Sequence, residues 1–322
     1  MPAQSSGSPL AVTVSSCVGS RFSCFRGLRP ALVMAYLIGV TILWAFSFSL
    51  IGEYLSGQVD SDFAVLSRVI LAGLLFLPLT HWYGVSRELK LGMIVVGMFQ
   101  FGVTYFFLYR SFAYLTVPEV LLFTVTTPIW VALIDDALYR RFSPVALLAA
   151  VVAVLGAAVI RYDGITSDFV TGFVLLQIAN AAFAAGQVGY KHLLLRIPTA
   201  VPAWGFFGYF FVGALLVSGP AFLLFGDASM MPTTAVQWGI IAWLGLAASG
   251  LGLFFWNRGA CLVDAGTLAV MNNVLVPAGL IVNLVIWNRD ADLLRLALGG
   301  VLIALSLWGN ARFSRRAVLR LT

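Results

Sequence analysis

The sequence FFLYR at residues 106–110 recurs 148 positions later as FFWNR at residues 254–258. Each copy ends an apolar run, is followed by small and polar residues, and leads to an apolar segment that contains a proline, Pro128 in one case and Pro277 in the other. The repetition predicts a chain built of two related halves. The alternative is a chance likeness between two apolar helices, because Phe-Phe and Arg are common at helix ends.

The composition indicates a helical membrane protein. Of the 322 residues, 61% are apolar and only 10% are charged, and the mean hydropathy is +0.98. An ordinary soluble domain has about 25% charged residues. The composition therefore excludes a cytosolic enzyme, a disordered chain and a nucleic-acid binder, and it favours helices that cross a lipid bilayer.

Ten stretches are long and apolar enough to cross a bilayer, which takes about 20 mostly apolar residues. Two of them contain an internal charge, Arg68 in one and Glu119 in the other. The predicted spans lie within residues 29–53, 63–79, 90–110, 117–134, 141–161, 168–191, 196–227, 227–258, 264–289 and 295–312. An odd number of spans separates the two copies of the repeat, so the copies cross the membrane in opposite directions. The predicted fold class is an all-α membrane protein with ten transmembrane helices in a 5+5 inverted repeat, a design common in secondary transporters.

The basic residues predict the orientation of this bundle. Of the 19 Lys and Arg residues, fourteen fall on the side that holds both chain ends. Four fall on the other side, namely Arg110, Arg161, Arg289 and Arg295. We therefore expect both termini in the cytoplasm.

The chain divides into four segments by composition. Residues 1–30 are rich in Ser and Gly and are expected to form a disordered tail, and Met34 is an alternative start of translation. The first five-helix repeat is expected over residues 31–162 and the second over 167–312, followed by a basic cytoplasmic tail at 313–322.

Charged residues inside the spans are costly, so each invites a role. Arg68 is either a cation for a substrate carboxylate or a structural tie to helix-end carbonyls, to Glu53 or to Glu119. Glu119 either carries a proton or pairs with Arg110. Glu53 has the same two possible roles, proton carrier or ion-pair partner, or it faces the water outside the membrane. Glu53 and Glu119 are the candidates for coupling or gating.

Neutral polar residues predict a site in the interior. Gln177, Asn180, Ala184 and Gln187 share one helical arc, which should face protein or a cavity rather than lipid. An alternative role for these amides is hydrogen bonding between helices. For the aromatic candidates named next, the alternative is packing between helices. The candidate substrate-binding residues are Trp44, Phe46, Arg68, Tyr105, Asn180, Gln187, Trp256, Asn257, Asn272 and Asn273. Asn272 and Asn273 lie close before Pro277, which frees a backbone carbonyl.

Several segments also carry a resemblance to known carriers. They are LWAFSFS at 43–49, GEYL at 52–55, LLFTV at 121–125, IRYD at 160–163, VGYK at 188–191, VDAGTL at 263–268 and MNN at 271–273. With them, residues 34–308 resemble the drug/metabolite transporter superfamily in its EamA-type branch, and most closely its single-component biotin importers. The resemblance implies a plasma (inner) membrane carrier that works by alternating access.

The expected function is therefore a secondary carrier of a small metabolite, with biotin uptake as the main reading and export of amino acids or related metabolites as the alternative. Biotin offers a ureido ring for the amides, an apolar ring for Trp44, Phe46 and Tyr105, and a carboxylate for Arg68. Scattered Cys and His predict no metal, no cofactor and no catalytic residues. The sequence has no nucleotide-binding motif, which excludes direct ATP drive within this chain, and no ATPase subunit is implied. The lipid bilayer and the small molecule are the expected partners.

Overall fold

The computed structural model describes residues 30–138, 166–263 and 265–287, together with a few isolated positions between 144 and 155 and between 294 and 305. Within these ranges, it gives only the backbone for 30–34, 265–270 and 273. The predicted spans at 141–161 and 295–312 lie largely outside the described residues. The predicted tails at 1–30, except for Pro30, and at 313–322 lie wholly outside them.

Every regular element in the described ranges is helical. Two π-helical segments, Met98–Val103 and Trp243–Leu251, join α3 to α4 and α9 to α10, and a 3₁₀ turn at Leu77–Leu79 ends α2. The helices are α1 (Pro30–Tyr54), α2 (Ser61–Phe76), α3 (Arg87–Gly97), α4 (Thr104–Ser111), α5 (Val117–Thr124), α6 (Thr127–Leu138), α7 (Ser167–Arg196), α8 (Ala203–Phe225), α9 (Ala235–Ala242), α10 (Gly252–Leu262) and α11 (Ala265–Ile286).

Seven helical stretches in the described ranges are long and apolar enough to span a membrane. Each of them overlaps one of the predicted spans, and α11, with 22 residues, covers an eighth. At 1.5 Å per residue, such lengths match a hydrocarbon core about 30 Å thick. The protein is thus an all-α, multi-pass membrane protein.

Capping side chains fix where several spans begin. Asp60 accepts a hydrogen bond from the backbone of Phe63 at 2.7 Å at the start of α2. Ser86 and Thr166 do the same for α3 and α7. These contacts satisfy backbone N–H groups that a helix start leaves unpaired, which is why short polar residues stand between the apolar runs.

The repeated motif coincides with a repeated structure. Arg87 and Ala235, where α3 and α9 begin, are 148 positions apart, the same separation as the two motifs. Each helix then widens into a π-helical segment before the motif itself. Such segments are rare and often mark functional sites.

The helix contacts also come in matching pairs. Helix α8 packs against α3 and its π-helical segment, and α2 packs against the π-helical segment that joins α9 to α10. In the same way, α1 packs against α11, and α6 packs against α7. Helices α2 and α8 cross at the centre of this arrangement.

Glycines let α3 and α8 approach closely. A Cβ atom on Gly97 would overlap the carbonyl oxygen of Phe210, and one on Gly213 would overlap the carbonyl oxygen of Ile94. Small residues at such crossings bring helix backbones into contact and are the usual means of packing helices in lipid.

One end of the bundle is tied by polar contacts. Arg110 makes two hydrogen bonds to Asp62, at 2.6 and 3.0 Å, which join α4 to α2. The backbone N–H of Asp60 donates to Met230, so two loops meet here. In the same loop as Met230, hydrogen bonds from Ser229 lower the pKa of the exposed Asp227 carboxyl group.

Candidate functional site

Arg68 lies in the interior of the bundle, on α2, and only 1% of it is exposed. Its Nε and Nη2 atoms donate to the hydroxyl of Ser249 at 3.0 and 2.8 Å, and Nη1 donates to the hydroxyl of Tyr109 at 2.9 Å. The guanidinium carbon also lies 4.4 Å from the ring centroid of Tyr105. These contacts hold the cation in one position between the two halves of the chain.

The groups around Arg68 are neutral. In the described part of the chain, two hydroxyls and two aromatic rings contact it, and no carboxylate is among its contacts. The predicted ties to Glu53, to Glu119 or to helix-end carbonyls are therefore not the contacts that the structure has. A buried cation is expensive unless an anion compensates it. The site is thus suited to an anionic group, and a carboxylate matches the planar guanidinium best.

An aromatic wall, formed by Trp44, Phe183 and Trp256, stands beside this cation. The ring centroids of Trp44 and Trp256 are 5.0 Å apart, and those of Trp44 and Phe183 are 6.1 Å apart. The indole nitrogen of Trp44 donates to the carbonyl of Ala248 at 2.9 Å. Ala248 precedes Ser249, so the wall and Arg68 meet at consecutive residues of one π-helical segment.

Buried amides form the third part of the site. The Nε2 atom of Gln100, in the first π-helical segment, donates to Oδ1 of Asn257 on α10 at 3.0 Å. Gln187 lies on α7 one turn after Phe183, and its neighbour Gly186 packs directly against Gln100. The three amides are therefore held next to the aromatic wall.

Several polar atoms of this region have no protein partner. Among the described residues, they include Oε1 of Gln100, Nδ2 of Asn257, both amide atoms of Gln187 and Nε1 of Trp256. Leaving one buried polar group unpaired costs about 1–3 kcal/mol. Such groups are rare in folded proteins, and a cluster of them next to one another calls for an explanation. A polar ligand that supplies both donors and acceptors would satisfy them.

Arg68, Trp256 and Asn257 are almost wholly buried. An apolar crevice of about 470 Å³ opens between α2 and α10 and is lined in part by Phe254, Phe255 and Arg258. These three residues flank Trp256 and Asn257 in the sequence. The crevice therefore reaches α10 at the level of the buried cluster without containing it.

Most of the predicted candidates come together, but Phe46 and Asn180 do not. Phe46 continues an exposed stripe with Ile38 and Ile42 on the outside of α1. The amide nitrogen of Asn180 donates to Phe123 at 3.1 Å and to Thr126 at 3.0 Å, so it ties α7 to the break between α5 and α6. Of the polar arc predicted on α7, Asn180, Ala184 and Gln187 are buried, and the half-buried Gln177 accepts hydrogen bonds from Thr126 and Trp130, so the arc faces protein.

In the described part of the chain, the remaining candidates take no part in the contacts given above for Arg68, the aromatic wall and the amides. Asn272 is half-buried on α11, and the side chain of Asn273 lies outside the described residues. Glu119 accepts hydrogen bonds from the backbone and hydroxyl of Thr116, both at 2.8 Å, and so caps α5. Arg110 pairs with Asp62, and Glu53 is partly exposed near the end of α1.

Four residues of the site were not predicted from the sequence: Gln100, Tyr109, Phe183 and Ser249. Tyr109 had a signal, because it occupies in the first motif the position that Asn257 holds in the second. Gln100 also had one, as the sole amide in the apolar run from 91 to 109. Phe183 and Ser249 had none, since aromatic and small polar residues are frequent in every span.

The comparisons with known proteins agree on one kind of protein. The EamA-like transporter family matches residues 31–162. The chain is 64% identical over 285 residues to the probable biotin transporter of Pseudomonas aeruginosa, covering 88% of this chain and 99% of that protein. It is 50% identical over 281 residues to the biotin transporter of Escherichia coli, covering 87% of this chain and 93% of that protein. A protein of known crystal structure shares 17% identity and the same fold, with a TM-score of 0.62 over 90% of this chain and 99% of its own.

Proposed function

The chain belongs to the EamA-like transporter family and is a membrane carrier, and from this premise we propose that it takes up biotin. One relative named a probable biotin transporter and one named a biotin transporter match this chain over nearly their whole length. Their substrate has a carboxylate, an apolar tetrahydrothiophene ring and a cyclic urea fused to that ring, which are the three kinds of group that the buried site is suited to receive.

The observation that carries the proposal is Arg68. Its guanidinium is buried, fixed by Ser249 and Tyr109, and contacts no carboxylate in the described ranges. The carboxylate of biotin supplies the missing negative charge. The aromatic wall beside it receives the apolar ring, and Gln187 is a partner for the ureido group.

Alternating access is the mechanism that we propose for this carrier. It rests on two inverted halves of five helices each, at residues 31–162 and 167–312, with the fifth and tenth spans at 141–161 and 295–312. The equal separation of the motifs and of the starts of α3 and α9, together with the paired helix contacts, supports this arrangement. The substrate then lies between the halves, as in other inverted-repeat carriers.

The orientation and the coupling are further parts of the proposal. The excess of basic residues on one side supports cytoplasmic termini in the inner membrane. Asn272 and Asn273 are proposed to face the substrate from α11. Glu53 and Glu119 are proposed to couple or gate transport, since carboxylates within or next to a span are the groups that can carry a proton.

The test is growth of a biotin-requiring bacterium whose own importer has been deleted. Expression of this chain should restore growth at trace biotin and the uptake of labelled biotin. Arg68→Gln at equal membrane abundance should abolish both. Absence of biotin uptake, together with resistance to excess amino acids, would refute the proposal in favour of amino-acid export.

A further inference from the structure

We infer that Gln100 and Asn257 form an open amide pair that recognises the N–H and C=O edge of a cyclic urea or lactam. The inference rests on the proposed function and names the part of the substrate to which this pair forms hydrogen bonds. It assigns specificity to Gln100, which the sequence did not single out, and a defined chemical role to Asn257.

The hydrogen bonding of the two amides is half complete. Two carboxamides that face each other can exchange two hydrogen bonds, because each has one acceptor oxygen and a donor nitrogen. Here Gln100 donates from Nε2 to Oδ1 of Asn257 at 3.0 Å, whereas Oε1 of Gln100 and Nδ2 of Asn257 have no partner among the residues that the structure describes. Both residues are fully buried. The pair therefore offers one acceptor and one donor, on two amides that are already joined by a hydrogen bond.

The geometry selects a class of ligand. In a cyclic urea or lactam the ring holds the N–H and the C=O on the same side, so both groups can meet the pair at once. The N–H donates to Oε1 of Gln100, and the carbonyl accepts from Nδ2 of Asn257. An open-chain secondary amide directs these two groups to opposite sides, because its peptide bond is trans. Such an amide satisfies only one member of the pair.

The surroundings hold the pair in place. Gln100 lies in a π-helical segment, where Gly186 of α7 packs against its backbone and Cβ. Asn257 follows Trp256, whose ring belongs to the aromatic wall and whose indole nitrogen is also unpaired. The pair thus lies beside the surface proposed for the apolar ring. A buried site of this kind discriminates strongly against a ligand that leaves its polar groups unpaired.

The decisive variant is Asn257→Asp. It keeps the oxygen that accepts from Gln100 and replaces the unpaired donor nitrogen with an acceptor oxygen. The probes are biotin and 2-iminobiotin, in which an N–H group stands in place of the ureido carbonyl oxygen. We expect biotin uptake to fall at least about tenfold and the preference for biotin over 2-iminobiotin to shift at least about tenfold toward the latter. Asn283→Asp is the matched control, another fully buried asparagine, and it should leave this preference unchanged.

A second measurement uses the unaltered protein. Desthiobiotin, which keeps the cyclic urea, should compete with labelled biotin within about tenfold of biotin itself. A tetrahydrothiophene pentanoic acid, which keeps the carboxylate and the sulfur ring but lacks the urea, should compete at least about 100-fold more weakly.

The outcomes separate the two claims. If the protein takes up biotin but the acid without the urea competes equally well, or Asn257→Asp changes both ligands by one factor, the pair is merely structural and the inference is wrong. If the unaltered protein moves no biotin at all, the proposed function fails and the inference fails with it.

Discussion

Arg68 is the residue on which the chemistry of the site depends most. It is buried, no carboxylate of the described residues contacts it, and two hydroxyls and two rings hold it in place. A purely structural cation in the same place would be expected to have its own counter-ion, because buried ions are usually paired. The arrangement therefore favours a substrate that brings the charge with it.

Substitution of Arg68 should change which form of the substrate is preferred. Arg68→Gln is expected to lower biotin uptake at least about tenfold, since the loss of one partner of a buried ion pair costs about 2–5 kcal/mol. Biotin amide, which is neutral, should lose much less. The measurement is the affinity of the purified variants for both compounds, with Arg68→Lys as the variant that keeps the charge but loses the planar fork. An equal loss for both compounds would assign Arg68 to the fold alone.

The residues of the site differ in how far the sequence could reveal them. Arg68, Trp44, Gln187 and Asn257 stand out because a polar or bulky group in an apolar span needs a reason. Phe46 looked equivalent to Trp44, yet the two are two positions apart on a helix and so point in different directions. Only the helix phase relative to its neighbours decides which of them faces inward, and that phase depends on long-range packing.

At the scale of elements, the crossing of α3 and α8 is the tightest contact that can be tested. Gly97→Ala and Gly213→Ala should each lower stability by about 1–3 kcal/mol, because a methyl group would overlap a backbone carbonyl of the opposite helix. Gly219→Ala on the same α8 helix has open space and should cost nothing. Thermal unfolding in detergent measures all three. A melting temperature for Gly97→Ala and Gly213→Ala equal to that of Gly219→Ala would show that the helices do not pack this way.

The ion pair between α2 and α4 is a second contact at this scale. Asp62 is buried and Arg110 is partly exposed, and they form two hydrogen bonds. Asp62→Asn and Arg110→Gln should each destabilise the protein, and the double variant should be less destabilised than the sum of the two. A coupling energy of about 0.5–3 kcal/mol is expected from a double-mutant cycle of thermal unfolding. Strict additivity would mean that the pair contributes nothing.

At the scale of the whole molecule, hydropathy and charge could predict the spans. In lipid, every spanning segment must pair its backbone polar groups internally, so it forms an apolar helix long enough to cross the bilayer. Helix α7 begins one residue before its predicted span and ends five residues after it, and α8 lies within its predicted span. The π-helical segments could not be predicted, since they depend on an extra residue that packing absorbs within an otherwise regular helix. The hydrogen bond between Gln100 and Asn257 joins residues 157 positions apart, so no local pattern announces it.

The central claim is that this molecule carries biotin between two sides of a membrane through a buried site built around Arg68. The most direct measurement is counterflow in liposomes that contain only the purified protein. Vesicles loaded with unlabelled biotin should transiently accumulate external labelled biotin, empty vesicles should not, and Arg68→Gln should abolish the difference. Equal labelling of loaded and empty vesicles by the unaltered protein would contradict the account.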